Sequence, residues 1–341
     1  MRSPSTGKPM LLKREKRTLS YRKESFEVVY HYFLCEDSGE QFVTDALGDL
    51  NLRQVYNQYR AKHNLPFPEE IRSIREQYGL AATKMSEILG LGINSYGNYE
   101  RGEVPSHSNA RIIQMAARPK QFRQLVELTD AIDEKTKDKI NRKLDALIQE
   151  RDSKRKERAV LQYLLPHQQP DAYSGYRKPS LKKIAQMVVF FGTHLHPWKT
   201  QLNKLLFYAD FLRYKHSGFS ISGLRYRAID RGPVPTNYGS LFEYLENKQV
   251  IEVDEYSWGD NKEGKRFRPA TDVTFQAAVF TAAELEILKQ VKHHFSTVST
   301  QEIIELSHQE TAWEDNHQQR QLISYEYAFF INALENENPN S

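Results

Sequence analysis

The chain has 341 residues, more than a single hydrophobic core normally holds, so we expect two or three domains. Hydrophobic residues make up 39% and charged residues 27%, and the net charge of +4 permits nucleic-acid binding without requiring it. The sequence has no run of about 18 apolar residues and no apolar segment near its start, so we expect neither a membrane span nor a secretory signal. The single cysteine, Cys35, excludes an intramolecular disulfide and suits a reducing cytoplasm.

The N-terminal part, residues 1–66, has the pattern of a small β-rich module. Polar residues alternate with aromatic and β-branched ones over residues 19–33, which predicts strands, with a hairpin turn at residues 22–25. Residues 52–63 have helical spacing, and the prolines at positions 66 and 68 end that helix.

Residues 67–130 are predicted to form a helical unit that contains a helix-turn-helix at 80–102. Gly90 ends the first of its two helices, because glycine readily adopts the left-handed backbone that stops a helix. The second helix is predicted from about residue 92 to 99, with Asn94, Ser95 and Asn98 facing outward. The positions predicted to face inward are Leu80, Met85, Leu89, Leu91, Tyr96 and Tyr99.

Residues 131–179 are predicted to be a charged helical connector followed by a linker. Positions 133–158 hold ten Lys or Arg and seven Asp or Glu residues. An apolar stripe at helical spacing runs through them, at Ile140, Leu144, Leu147 and Ile148. Two interpretations are open: a helix that pairs with a second copy of the chain, or a solvated helix that touches one neighbour.

Residues 180–335 are predicted to form a mostly helical domain with a small hairpin around Gly259 and Asp260. Ser180 is a candidate cap for its first helix. The whole chain is therefore predicted to be mainly α. The predicted helices of this last domain cover residues 181–192, 197–215, 236–245, 281–295, 299–307 and 324–334.

Residues 80–102 resemble the Cro/Xre helix-turn-helix family, whose motif closes with an aromatic-Glu-Arg-Gly sequence such as that at 99–102. The resemblance implies a five-helix domain whose second motif helix enters a DNA major groove. Asn94 and Asn98 are the candidate base readers, because an asparagine amide pairs bidentately with adenine. Either could instead cap the local backbone, and the segment could be an ordinary three-helix bundle. The candidate DNA-binding residues are Lys84, Asn94, Ser95, Asn98, Arg101 and Arg111.

Two departures from the related families stand out. Ala81 and Ala82 occupy positions where the Cro/Xre family commonly has Thr or Ser followed by Gln, so a contact to the DNA backbone is missing. Residues 90–102 are more similar to the MqsA antitoxin family, which has an N-terminal zinc module built from two Cys-x-x-Cys pairs. Here those four positions are Ser3, Thr6, Cys35 and Ser38.

Since structural zinc needs about four ligands, mostly thiolate or imidazole, we predict no zinc in the N-terminal module. Cys35 is then expected to be a buried thiol and not a nucleophile. The strands are expected to hold together by packing of Leu19, Phe26, Val28, Tyr30 and Tyr32.

The C-terminal part resembles the SocA-like, or Panacea, antitoxin domain over about residues 180–335. The resemblance rests on residues 202–210 and 226–235, on Tyr238, and on a late Leu-Ser-His followed by Trp313. It implies neutralisation of a cognate toxin by direct binding. The tyrosines and the tryptophan could instead be core aromatics with one satisfied polar atom each. The candidate toxin-binding residues are Lys204, Tyr208, Asp210, Tyr226, Arg231, Tyr238, His308 and Trp313.

The leading hypothesis is therefore a cytoplasmic antitoxin of a type II toxin–antitoxin system, which also represses its own promoter as a homodimer on a double-stranded DNA operator. The alternative is a stand-alone transcriptional regulator whose C-terminal domain senses a ligand or partner. The sequence has no His-Glu-x-x-His motif and no Walker-type or Gly-rich nucleotide loop. We therefore expect no enzyme activity, no cofactor and no metal. His194 and His196 lie close together in the sequence, but no further metal ligands stand at a spacing typical of a metal site.

Overall fold

The computed structural model describes residues 1–153, 155–258 and 262–334. The chain divides into two compact units, each assembled from separate stretches of sequence. Strands β1 (Leu11–Tyr21) and β2 (Glu24–Leu34) each supply residues to both units. The first unit comprises Met1–Glu15, Val29–Leu50 and the chain from Gln162 onward, and the second comprises Lys16–Val28 and Asn51–Leu161.

The N-terminal strands form the hairpin that the sequence predicts. Arg22 and Lys23 link β1 to β2 with φ of 47° and 68°, so both central residues of the turn are left-handed. Such a turn matches the twist of antiparallel strands. A short strand, β3 (Gln41–Phe42), pairs with the end of β2 and completes a three-stranded sheet. Phe26, Val28 and Tyr32 are buried, as predicted, whereas Leu19 and Tyr30 are half-buried.

The helices of the second unit follow the predicted order, with shifted ends. The helix α1 begins at Asp45, within residues 42–52, where the sequence predicts a loop and a helix start, and an acid in its first turn suits the helix dipole. The helix predicted from residue 92 begins at Ser95, because Gly92 and Ile93 lie in the preceding turn. The helices are α1 (Asp45–His63), which belongs to this unit from Asn51 onward, α2 (Pro68–Glu76), α3 (Ala82–Ile88), α4 (Ser95–Arg101), α5 (His107–Ala116) and α6 (Pro119–Leu128).

Gly90 ends the α3 segment with φ of 63°, as predicted. Tyr96 is fully buried, and its hydroxyl donates to the Ile71 carbonyl of α2 at 2.7 Å. The apolar core of this unit contains Ile71, Ile74, Tyr78, Met85, Ile88, Leu89, Tyr96, Tyr99, Ile113, Ala116, Phe122, Val126, Ile132, Ile140 and Leu144.

The predicted connector forms helices α7 (Glu134–Ser153) and α8 (Arg155–Leu164). Helix α7 packs on α6, and Ile140 and Leu144 are buried in the same core. Leu147 is partly buried against it. Three of the four stripe residues thus pack on their own chain, and Ile148 is half-buried.

The first unit is built around a central helix, α10 (Lys199–Ser217), most of whose side chains are buried. Ser180 caps α9 by accepting from the Lys183 amide, as predicted. The last predicted helix is instead a 3-10 helix over Tyr325–Phe330, because Ile331 returns to an extended backbone. The helices of this unit are α9 (Leu181–Leu195), α10, α11 (Tyr238–Asn247), α12 (Ala282–Phe295), α13 (Thr300–His308) and α14 (Thr311–Glu314).

Two small sheets complete this unit. Strand β4 (Tyr226–Ile229) lies between β5 (Gly232–Pro235) and β8 (Leu322–Ile323), a sheet that the sequence analysis does not predict. The predicted hairpin is longer than expected, with β6 (Ile251–Trp258) paired to β7 (Lys262–Pro269). Its predicted turn at Gly259 and Asp260 lies outside the described residues. Helices dominate and the sheets are small, so the mainly α prediction is confirmed.

Candidate functional site

Asp210 is the polar anchor of α10. Its carboxylate is fully buried and accepts from the amides of Ile221 and Ser222, each at 2.8 Å. The hydroxyls of Tyr226, at 2.8 Å, and Ser222 also donate to it. Burial raises the pKa of Asp210, while these donors favour its charged form. The carboxylate therefore fixes the loop that leads into β4.

Lys204 lies six residues earlier on α10 and is also fully buried. Its ammonium donates to the Pro233 carbonyl of β5 at 3.0 Å. Burial lowers the pKa of Lys204 to about 7. Gly232 has φ of 92°, and a Cβ placed on it would come within 2.6 Å of Cε of Lys204. The β4–β5 turn thus sits directly on the buried amine.

Glu310 is a second buried carboxylate, one that the sequence reasoning missed. It accepts from the amides of Asn332 and Ala333 at 2.9 and 3.1 Å, and from the Tyr208 hydroxyl at 3.4 Å. Burial raises its pKa. An acid between the Ser-His pair and the tryptophan was the available signal. Glu310 ties the C-terminal segment to α10.

Aromatic and basic side chains surround the β4–β5 turn: Arg231 on the turn itself, His308 of α13, Trp313 of α14, and His317 and Arg320 after α14. We call these five residues the Trp313 face. The Trp313 indole donates to the Ile229 carbonyl at 2.8 Å. Its ring stacks between His308, at 3.8 Å, and His317, at 4.1 Å. Arg231 is exposed, and Arg320 pairs with Asp230 at 2.8 Å. Desolvation and the nearby Lys204 lower the pKa of His308.

The structure separates the candidate toxin-binding residues into two groups. Lys204, Tyr208, Asp210 and Tyr226 are fully buried. The hydroxyls of the two tyrosines each donate to a buried carboxylate. This arrangement matches the alternative interpretation, in which the tyrosines are core aromatics with one satisfied polar atom each. The other four are accessible, and three of them meet at the Trp313 face. The fourth, Tyr238, begins α11, where Nζ of Lys199 lies 5.2 Å from its ring.

The candidate base readers lie at the start and on the open side of α4. Asn94 is exposed, and its side chain makes no capping bond to the helix. Ser95, Asn98 and Arg101 recur every third residue, which places them on one side of the helix, away from the buried tyrosines. Oδ1 of Asn98 accepts from the Arg101 guanidinium. Asn94 is therefore available to a ligand, whereas Asn98 positions Arg101.

The remaining DNA candidates lie on neighbouring helices. Nζ of Lys84 in α3 pairs with Glu87 at 2.5 Å, which offsets part of its positive charge. Arg111 is exposed on α5. The motif itself is fixed by Arg75, whose Nε donates to Glu100 at 2.6 Å and whose guanidinium also reaches the Leu80 carbonyl at 2.9 Å. This bond ties α2 to α4.

The four positions that would hold zinc in the MqsA family come together in the first unit. Thr6 Oγ1 lies 3.3 Å from Sγ of Cys35, a thiol that is only 1% exposed. Hydrogen bonds from Ser38, Thr6 and Ser3 lower the pKa of Cys35 to about 6. Three hydroxyls now surround one thiol, a donor set that does not fit structural zinc. Among the described residues, no three His, Cys, Asp or Glu side chains converge where they could hold a metal ion.

Two clefts border the β6–β7 ribbon. One, of about 580 Å³, has Glu252, Asp254 and Asp272 around Arg268. The other, of about 430 Å³, lies beside Lys199 and Phe242. Neither contains any of the residues singled out from the sequence.

Residues 202–314 match the family model described as the antitoxin SocA-like, Panacea domain. This confirms the predicted resemblance for the C-terminal part of the chain, and the matched residues include both β4–β5 and Trp313. Neither a curated protein nor a solved structure matches the chain. In the described part of the chain, no helix has the length and apolar character required to cross a membrane.

Proposed function

We propose that this protein is an antitoxin that neutralises a cognate toxin by binding it through the first unit, without catalysis, in the cytoplasm. The observation that carries the proposal is the SocA-like match over residues 202–314. The accessible Trp313 face supports it, because Trp and Arg are the residue types most enriched in binding hot spots. The buried residues Lys204 and Asp210 contribute indirectly, by fixing the loops beneath that face.

The antitoxin proposal is tested with the gene next to the one encoding this chain. Its product, expressed alone, should arrest growth, and co-expression of the full chain should restore growth. The two purified proteins should form a complex. The double variant Trp313→Ala/Arg231→Glu should lose rescue, while Lys289→Glu, an exposed change on α12, should keep it. A neighbouring product that is harmless and does not bind would contradict the proposal.

We further propose that the second unit binds a double-stranded DNA operator as part of a homodimer, with α4 in the major groove. The support is the outward polar side of α4 and the exposed amide of Asn94. Operator binding would let the protein repress its own operon.

The DNA proposal is tested by operator affinity across sequences and salt concentrations. Asn94→Ala should cost about 1–3 kcal/mol of discrimination at one base pair. Asn98→Ala should change operator affinity indirectly, by releasing Arg101, because these two side chains are hydrogen-bonded. Lys84→Ala should weaken binding to all sequences alike and lower the salt slope by about one. Unchanged affinity in all three variants would exclude this DNA-binding surface.

The second candidate function is a transcriptional regulator without a toxin. The exposed side of α4 is the observation that favours it, since DNA binding alone would account for that side. Tight operator binding with no toxic partner would select this alternative over the antitoxin.

A further inference from the structure

Ile93 is an exposed aliphatic side chain at the entrance to α4. It is 67% exposed, whereas Met85 and Tyr96 of the same motif are fully buried and Leu80 and Leu91 are partly buried. An isoleucine left in water forgoes the free energy gained by burying its apolar surface. Its neighbour on the C-terminal side is the exposed Asn94.

The turn that holds Ile93 is fixed without any help from its side chain. The Gly92 carbonyl accepts from the Ser95 amide at 2.8 Å, and the Asn94 carbonyl accepts from the Asn98 amide at 3.0 Å. The Tyr96 amide donates to Ser86 Oγ at 3.1 Å, which anchors α4 to α3. Ile93 is therefore presented on a fixed backbone, next to an amide without a capping role.

We propose that Ile93 reads the C5-methyl group of a thymine next to the base that Asn94 contacts. The inference rests on the proposed DNA-binding function. Thymine presents a methyl group in the major groove, and an aliphatic side chain gains by covering it. The Asn94 amide suits adenine, whose N7 accepts and whose N6 amino group donates in the major groove, so the pair Ile93–Asn94 specifies adjacent A·T base pairs.

The experiment begins with selection of binding sites from a random duplex pool by the full chain. Each thymine of the selected site is then replaced in turn by deoxyuridine, which lacks only the methyl group. At one thymine, wild-type affinity should fall about fourfold, the effect of leaving one methyl group unburied. Ile93→Ala should bind the thymine duplex about fourfold or more weakly and should show no further loss with deoxyuridine.

Leu128→Ala is the matched control, because Leu128 is an 81% exposed aliphatic residue of the same unit. It should keep both the affinity and the deoxyuridine effect. An unchanged thermal midpoint of Ile93→Ala shows that the fold is intact.

The outcomes separate this inference from the DNA proposal beneath it. A selected site with no deoxyuridine effect, or an effect that Ile93→Ala retains, overturns the role of Ile93 and leaves DNA binding standing. Dissociation of a dimer by Ile93→Ala, with the deoxyuridine effect intact, also overturns it and makes Ile93 a contact between copies. Failure to select any site contradicts DNA binding itself, and the inference with it.

Discussion

Two charged side chains on the same buried helix are stabilised very differently. Asp210 accepts hydrogen bonds from two amides and two hydroxyls, which replace the water that the carboxylate loses. Lys204 has a single described acceptor, the Pro233 carbonyl. An ammonium with one acceptor is poorly compensated for its burial, so the pKa of Lys204 falls to about 7.

The depressed pKa of Lys204 predicts a stability that depends on pH. The pKa of lysine in an unfolded chain is about 10.4, and the pKa of folded Lys204 is about 7. Between these two pH values the amine is protonated in the unfolded chain and mostly neutral in the folded one. The free energy of unfolding therefore rises with pH across that window, by at most about 1.4 kcal/mol per pH unit. Lys204→Met should lack this rise. Urea unfolding of both proteins at pH 7, 8 and 9 measures the difference.

In that comparison, the stability of the wild type relative to Lys204→Met should increase from pH 7 to pH 9. Lys289→Met removes an exposed lysine and should run parallel to the wild type. Parallel curves for Lys204→Met would show that the buried amine titrates alike in the folded and unfolded chain.

The cluster around Cys35 predicts that a zinc site can be introduced by substitution. The triple variant Ser3→Cys/Thr6→Cys/Ser38→Cys places four thiols where Thr6 Oγ1 and Cys35 Sγ are now 3.3 Å apart. Sulfurs bound tetrahedrally to one zinc at about 2.3 Å lie about 3.8 Å apart, so these two positions need to separate by only about half an ångström. The triple variant should retain one zinc per chain after dialysis, measured by metal analysis. Adding Cys35→Ser should abolish retention, and a metal-free triple variant would show that the two turns do not form a tetrahedral site.

At the scale of elements, the β4–β5 turn is shaped by its contact with α10 and α13. Gly232 combines a left-handed φ of 92° with close approach to Lys204 and Ser307. A side chain there would be strained by its backbone and would collide with two neighbours. Ile229, the last residue of β4 before this turn, supplies the carbonyl that accepts a hydrogen bond from Trp313. The Trp313 face thus depends on one glycine.

Gly232→Ala should therefore destabilise the protein by about 3 kcal/mol, from overpacking together with backbone strain. It should also reduce the protection of the Trp313 indole in fluorescence quenching. Gly239→Ala is the matched change, because Gly239 has open space around its Cα and lies in α11. Equal thermal midpoints for the two variants would contradict the role given to Gly232.

At the scale of the whole molecule, neither unit is one continuous stretch of sequence. Residues 1–15 and 29–50 belong to the unit that contains the chain from 162 onward. Within that unit His31 of β2 packs on Phe329 at 4.7 Å. The domain boundaries predicted at 66, 130 and 179 rest on local sequence patterns, which contain no information on such distant contacts. These boundaries stay predictions.

A fragment of residues 162–341 should therefore be less stable than the same unit in the full chain. It lacks the ring of His31 and the strand that carries it, which leaves the side of Phe329 open. Calorimetry should show a lower thermal midpoint for the fragment. If the fragment had the same thermal midpoint as the first unit in the full chain, residues 1–15 and 29–50 would add no stability to that unit.

The sequence by itself determined the helices with strong apolar spacing, a hairpin turn within 22–25, the stop at Gly90 and the resemblance of about residues 180–335 to an antitoxin domain, of which 202–314 match the family model. These depend on local backbone preferences and periodicity, which are written in consecutive residues. The tertiary structure alone decided that Lys204, Tyr208, Asp210 and Tyr226 are buried, and that Glu310 joins them. It also decided that Arg231, His308 and Trp313 meet at one face, and that Ile93 is left exposed. Burial depends on what the rest of the chain brings against a side chain, and spacing along one helix cannot supply that.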